Sequence, residues 1–228
     1  MAASRNPSRK KSTGGVEAPR LGTVDLQDLS EGDAEALASR ESHDALTFAD
    51  ADLSDYDLEG SGFSECLLTG LTLTETKLRG SRFVETVLVD PFASALRAQR
   101  TTWRDVRIER PRWGSAELFD SELDSVRVEG GKIDYLNLRS SELTDVVFEG
   151  AVIGELDLGG VTARRVAFVD CRIGTIDVTR ASLDSVDLRG TGFESVTGLS
   201  GLRGAVVDTE QLWLLAPLLA AEIGIVVV

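Results

Sequence analysis

Few residues in this chain could do chemistry. It has one histidine, His43, and two cysteines, Cys66 and Cys171. A lone imidazole without a nucleophile or carboxylate at motif spacing is no general base, so His43 reads as a solvated or turn residue. Cysteines 105 positions apart do not make a disulfide scaffold. Both fall at positions reserved for small inward side chains, where cysteine acts as a compact hydrophobe. Carboxylates are abundant, but Asp52, Asp57, Asp157, Asp177 and Asp187 recur at one place in a regular pattern and read as a solvated face. Paired carboxylates do glycosidase work only in a cleft. The stretch "EGGKID" (129–134) lacks the earlier glycine of a phosphate loop. What stands out is a run of six arginines, Arg97, Arg100, Arg104, Arg107, Arg110 and Arg112, against Asp105 and Glu109. Two readings stay open for it: salt bridges to acidic neighbours, or a belt that binds a partner. No catalytic, cofactor-binding or metal-ligating set emerges, so the expectation is a protein that is not an enzyme and uses no cofactor.

The elements that must position any site follow from a period. In "ADADLSDYDLEGSGF" (49–63), Leu53, Leu58 and Phe63 stand five apart, which is neither helix nor simple strand spacing. Stepping by five from Phe48 to Phe193 gives thirty positions. Twenty-seven hold Leu, Ile, Val, Phe or Trp, where an apolar content of 42% gives about 13 by chance. The residue two before each centre (Ala51, Tyr56, Ser61, Cys66) is restricted as well. Residues two apart on an extended segment share a side, so each unit carries two inward side chains and must then turn. Glycine stands two after the centre at 60, 70, 80, 130, 150, 160 and 190, as a corner favours.

Four units close one circuit. Val126, Val146, Val166 and Val186 lie 20 apart, the next side reads Gly131, Ala151, Cys171, Thr191, and the one after reads Leu136, Leu156, Ile176, Val196. A step of 15 mixes Val126, Ser141, Leu156 and Cys171. Volume is compensated between coils, as close packing demands: Ala163 stands between Leu143 and Leu183, and there Val161 replaces Ser141 and Ala181. Likewise Ala93 lies one coil from Trp113. Residues 91–116, with two prolines, two small centres and two tryptophans, interrupt the regular units. A distorted coil or a protruding loop is expected there.

Units such as "ADLSD", "YDLEG", "LNLRS", "LDLGG" and "VDLRG" resemble the pentapeptide-repeat family over about residues 48 to 200. The resemblance implies an all-β, right-handed, four-sided β-solenoid with Leu and Phe stacked inside. It also implies two rival roles, a protein-interaction module and a DNA-mimicking modulator of DNA gyrase or another topoisomerase, as in quinolone resistance. Resemblance to mycobacterial quinolone-resistance relatives further implies a homodimer through the C-terminal cap.

The expected order is a disordered basic tail at 1–20, an N-terminal cap at 21–47, the solenoid at 48–200 and a C-terminal helix–strand cap at 201–228. Residues 1–20 carry five basic side chains against Glu17 and are rich in Ser, Gly and Pro. Leu21, Val24, Leu26, Leu29 and Leu37 lie outside the register and would cover the first coil, since a solenoid exposes its core at both ends. Asp208 with Gln211 three residues on is a capping-box pattern. "TEQLWLLAPLLAAEIGIVVV" then reads as a helix, a break at Pro217 and a short strand. Residues 212–228, interrupted by Glu222 and Pro217, fall short of the roughly 20 clean residues of a membrane span.

Net charge is -14, and the chain after residue 20 carries -18. Such a body repels nucleic acid and anionic membranes. Along the rod the sign alternates: -6 over 46–90, +4 over 91–116, -8 over 117–200. Duplex DNA matching a rod of about 36 Å carries about 21 phosphates. The rod's net -10 is half that density, and the belt interrupts it. No apolar core follows the basic start, so no signal peptide is expected and the cytoplasm is the default compartment. Twenty arginines against four lysines give the chain an actinobacterial look. The reading is a non-catalytic scaffold for an unidentified protein partner, bound through the six-arginine belt, with the gyrase modulator as the alternative.

Overall fold

A computed structural model describes residues 15–226. Between Ser42 and Thr197 every strand pairing is parallel and links residues twenty apart, as in Ala93–Trp113–Ile133 and Trp103–Leu123–Leu143. The chain is therefore a stack of four-sided coils. One sheet of thirteen strands takes in the eight-residue strands Thr102–Glu109, Glu122–Glu129, Glu142–Glu149 and Thr162–Val169. A second sheet of six runs from Phe92–Arg97 to Gly192–Thr197. The eight-residue strands bend at Asp105, Ser125, Asp145 and Arg165, each with positive φ.

The corners explain the glycines and more. The residue two after a centre takes the left-handed conformation at Gly60, Gly70 and Gly80, and also at Asp55, Glu65, Arg100 and Asp120. In one column, Ala95, Ser115, Tyr135, Glu155 and Thr175, the backbone stays out of that region and six-residue strands run straight through.

The core follows the register. Every centre from Phe48 to Leu188 is buried, and Phe193 at the end is half-buried. The inward polar position is satisfied by a second ladder. The hydroxyls of Ser81, Thr86, Ser141 and Thr191 donate to the carbonyls of Leu58, Phe63, Leu118 and Phe168, at 2.8 to 3.2 Å. Cys66 and Cys171 stand in the same ladder, with their thiols on the carbonyls of His43 and Phe148. Both are buried and free, and burial pushes their thiols up, away from the reactive thiolate.

Two expectations within the rod need correction. Residues 91–116 form a regular coil, neither distorted nor looped. Pro91 and Pro111 sit at a corner where Leu71, Ala151 and Cys171 donate no backbone hydrogen bond among the described residues, so proline removes nothing there. Trp103, stacked on Phe83 at 4.1 Å, and Trp113 fill the volume left by Ala93 and Ala98. His43 is no solvated residue. It pairs with Phe63, lies tilted against its ring at 5.1 Å, and begins the column His43–Phe63–Phe83–Trp103. Burial lowers its pKa.

The ends also differ from expectation. Residues 1–14 of the expected tail lie outside the described residues, while 15–20 are placed against the rod, with Val16 buried. Of the residues expected to cover the first coil, only Leu37 enters its core; Leu21 and Val24 lie along the side of the rod. At the C-terminus, helix α1 runs unbroken from Thr209–Glu222 through Pro217. Proline frees only the carbonyl of Trp213, which stands on the open side of α1 where water can reach it. No strand follows among the described residues.

Leu138 lies between Leu118 and Leu158 in an inward column. Burying such a side chain is worth roughly 1.5–3 kcal/mol, and an unpartnered carboxylate there adds several more. Leu138→Asp is expected to lower the melting temperature sharply in a thermal denaturation scan, and Arg82→Ala on the outer face to leave it within about 2 °C.

Candidate functional site

The six belt arginines do not gather into one patch. Arg97 and Arg112 belong to the second sheet, Arg104 and Arg107 to the first, and Arg100 and Arg110 to corners. Four are paired with acids. Arg110 grips Asp90 on the preceding coil through Nε and Nη2, at 2.9 and 3.0 Å. Arg97 meets Glu75, Arg107 lies 2.8 Å from Glu109, and Arg100 lies 3.6 Å from Asp120. Arg104 and Arg112 make no ion pair among the described residues. Exposed pairs of this kind stabilise little, but they cancel much of the belt's charge.

The recurrent aspartates have a structural task that spacing alone did not reveal. Asp52, Asp57, Asp157, Asp177 and Asp187 each accept the backbone N–H two residues on, at 2.8 to 3.1 Å. Each thus folds its own corner. The Ser54 hydroxyl holds Asp52 below the ordinary carboxylate range, and the Arg189 guanidinium does the same for Asp187. Asp157 is not solvated. It is buried under Arg139, whose Nη1 lies 2.9 Å away and also approaches Asp177 at 3.6 Å.

The C-terminal cap uses the repeat's own register. Gln211 stands twenty after Thr191 and Asp208 twenty after Leu188. The Gln211 amide donates to the carbonyls of Leu188 and Thr191, and Asp208 accepts the N–H of Gly190 at 2.9 Å. The capping box that starts α1 thereby also closes the edge of the last coil, which would otherwise offer unpaired backbone. Only Gln211 and Leu215 of α1 are buried. Trp213 is 75% exposed and Leu214 63%, with Leu212, Leu218 and Ile223 beside them.

On the first sheet, residues 16–24 cross the coils lengthwise. The Arg20 N–H donates to Asp145 Oδ1 at 2.8 Å, and the Gly22 N–H to Ser125 Oγ at 2.8 Å. Gly22 comes so close that a Cβ would overlap the Asp105 carboxylate. Asp145 is locked to Arg165, with Nε at 2.6 Å and Nη2 at 2.5 Å. Burial alone would push the Asp145 carboxyl up. The Arg165 hydrogen bonds and the Arg20 N–H outweigh it and hold the carboxyl below its ordinary range.

Residues 48–83 match the family described as pentapeptide repeats, with eight copies. The five-residue unit matched there continues at the same spacing along the rod, which is built as a β-solenoid. Two solved structures are similar in outline. A trypsin-treated QnrB1, a plasmid-mediated fluoroquinolone resistance protein, is 19% identical with a TM-score of 0.47, covering 87% of this chain and 96% of that one. HetL from the cyanobacterium Nostoc, involved in heterocyst differentiation regulation, is 16% identical with a TM-score of 0.34, covering 77% and 94%. Likeness this distant speaks for no shared partner or activity. No curated protein matches the chain.

The low pKa of Asp145 makes the seating of residues 16–24 dependent on pH. A carboxyl depressed in the folded state stabilises above its unfolded value, near 3.8, and that contribution is lost as pH falls through the lower folded value. Protection of the Arg20 amide against hydrogen exchange is therefore expected to be constant from pH 7 to about 5 and to collapse below the ordinary carboxylate range. In Asp145→Asn it should be weak at every pH.

Proposed function

We propose that this protein is a non-catalytic interaction module that works as a homodimer, joined end to end through the apolar side of α1. The observation that carries the reading is the exposed cluster of Leu212, Trp213, Leu214 and Leu218 on a helix whose other side seals the rod. Exposed apolar patches of this kind mark association sites. A second copy is the fitting occupant, because the cluster lies at the end of a rod and a two-fold axis sets Leu and Trp against Leu and Trp. Only Glu210 and Glu222 are charged on α1, so little repulsion opposes the contact. No helix among the described residues is long and apolar enough to cross a membrane. The protein partner is met along the rod, in the cytoplasm, with Arg104 and Arg112 as the belt members that make no ion pair among the described residues.

Sedimentation velocity at micromolar concentration is expected to give a dimer for the wild type. The variant carrying Trp213→Glu and Leu214→Glu should be a monomer with an unchanged melting temperature, since Gln211 and Leu215 still close the end. A monomeric wild type would refute the reading.

The rival role, a DNA mimic acting on gyrase, is disfavoured by charge: a net of -10 along the rod against about 21 phosphates on duplex DNA of the same length. The purified protein is expected neither to inhibit gyrase supercoiling nor to relieve fluoroquinolone poisoning at micromolar concentration. Neutralising Arg104 and Arg112 separates the two: a mimic should improve, whereas a belt-binding module should lose its partner in a pull-down from its host.

A further inference from the structure

The outer face of the first sheet is not uniformly charged. In the middle of the rod two outward columns carry charges, Arg107 and Arg127 in one and Glu109, Glu129 and Glu149 in the next. Further along they turn apolar at Val147, Ala167 and Val169, as they also are at Leu67, Val87 and Val89 on the earlier coils. Beside them Arg165 and Asp145 form an ion pair whose side chains are 7% and 10% exposed, although both sit on the outside of the coil. Val147, Ala167 and Val169 form the apolar floor of an open groove of about 520 Å³, rimmed by Arg127, Glu149, Asp187 and Arg189, whose other wall is Val16, Ala18, Pro19 and Leu21 of the chain's own N-terminal segment.

That segment is held as a ligand is held, not as part of the fold. Residues 16–24 join no strand ladder. Arg20 and Gly22 dock through backbone N–H groups on Asp145 and Ser125, and Val16 alone is buried. When the segment leaves, Asp145 keeps its two hydrogen bonds to Arg165, so no unpaired charge remains. What does remain is the apolar floor.

We propose that this groove is a peptide-binding site, filled in cis by residues 16–24, which takes an extended segment of a partner protein when they are displaced. The partner segment has the chemistry of the occupant: apolar side chains on both sides of a proline, and a free backbone N–H for Asp145. Because the groove is not completely filled by Val16, Pro19 and Leu21, it has room for larger apolar side chains than these. The tether keeps the cis segment at a high effective concentration, so a partner must bind tightly or the segment must first be loosened. No residue of α1 lines the site.

The test uses the full chain and a fluorescent peptide spanning residues 15–25, followed by anisotropy. A chain with Val16→Asp and Leu21→Asp has its own segment weakened and its groove intact. It is expected to bind the peptide at least tenfold more tightly than the wild type. Gly22→Val, whose side chain would meet Asp105, loosens the segment independently and should act in the same direction. Adding Val147→Asp should return binding to background while leaving the melting temperature within a few degrees. Equal binding by wild type and both loosened chains, absence of binding to the loosened chains, or binding that survives Val147→Asp would each overturn the proposal.

Discussion

The structure depends on one interaction, the parallel backbone hydrogen-bond ladder that sets residues twenty apart side by side. Once each coil must lie on the last at that offset, side chains cease to be independent. A large centre such as Leu143 has a fixed neighbour above and below, and a small one such as Ala163 must be repaid from the same layer by Val161. The tryptophans at 103 and 113 belong to this accounting, since Ala93, Ala98 and Ala116 leave the space they occupy.

The same constraint assigns the polar groups. Inward hydroxyls and thiols such as those of Cys66 and Thr191 reach back to a carbonyl one coil and one unit earlier, Thr101 instead bonds the Ala98 carbonyl of its own coil, and Gln211 repeats the longer reach from inside a helix. Aspartates before the centres turn the corners, and their charge is a by-product of that task. The acidity of the rod therefore speaks first of how corners are folded, and much of the belt's positive charge answers acids beside it. What the repeat does not use is informative by contrast: the bare Leu–Trp side of α1, and the apolar floor beneath residues 16–24.

Legibility in the sequence followed the same line. The fold was readable because the period of five holds for thirty positions and the period of twenty sorts them by size. Residues 91–116 stay regular against expectation because the corner at Pro91 and Pro111 needs no N–H and the core beside Ala93 and Ala98 needs the bulk of tryptophan. His43 lies in register with Phe63 but precedes the first apolar centre at Phe48, and Gln211 lies twenty after Thr191 but inside a helix, so the period of five marks neither. The docking of residues 16–24 left no period to detect. Its only sequence signal was apolar residues at outward positions, Val147, Ala167 and Val169, which are visible only once inward and outward have been assigned.

If the twenty-residue offset is the governing constraint, removing a whole coil should be far milder than removing a quarter of one. Deleting residues 62–81 brings Ser61 onto Arg82 and restacks His43 on Phe83 without shifting any column. Deleting residues 62–66 shifts every column of the first coil against the rest. Thermal melts followed by far-UV circular dichroism decide between them. The account predicts that the twenty-residue deletion melts cooperatively and close to the full chain, and that the five-residue deletion melts at least 10 °C lower, about what a loss of 2–5 kcal/mol produces in a domain of this size. Equal melting of the two deletions would contradict it.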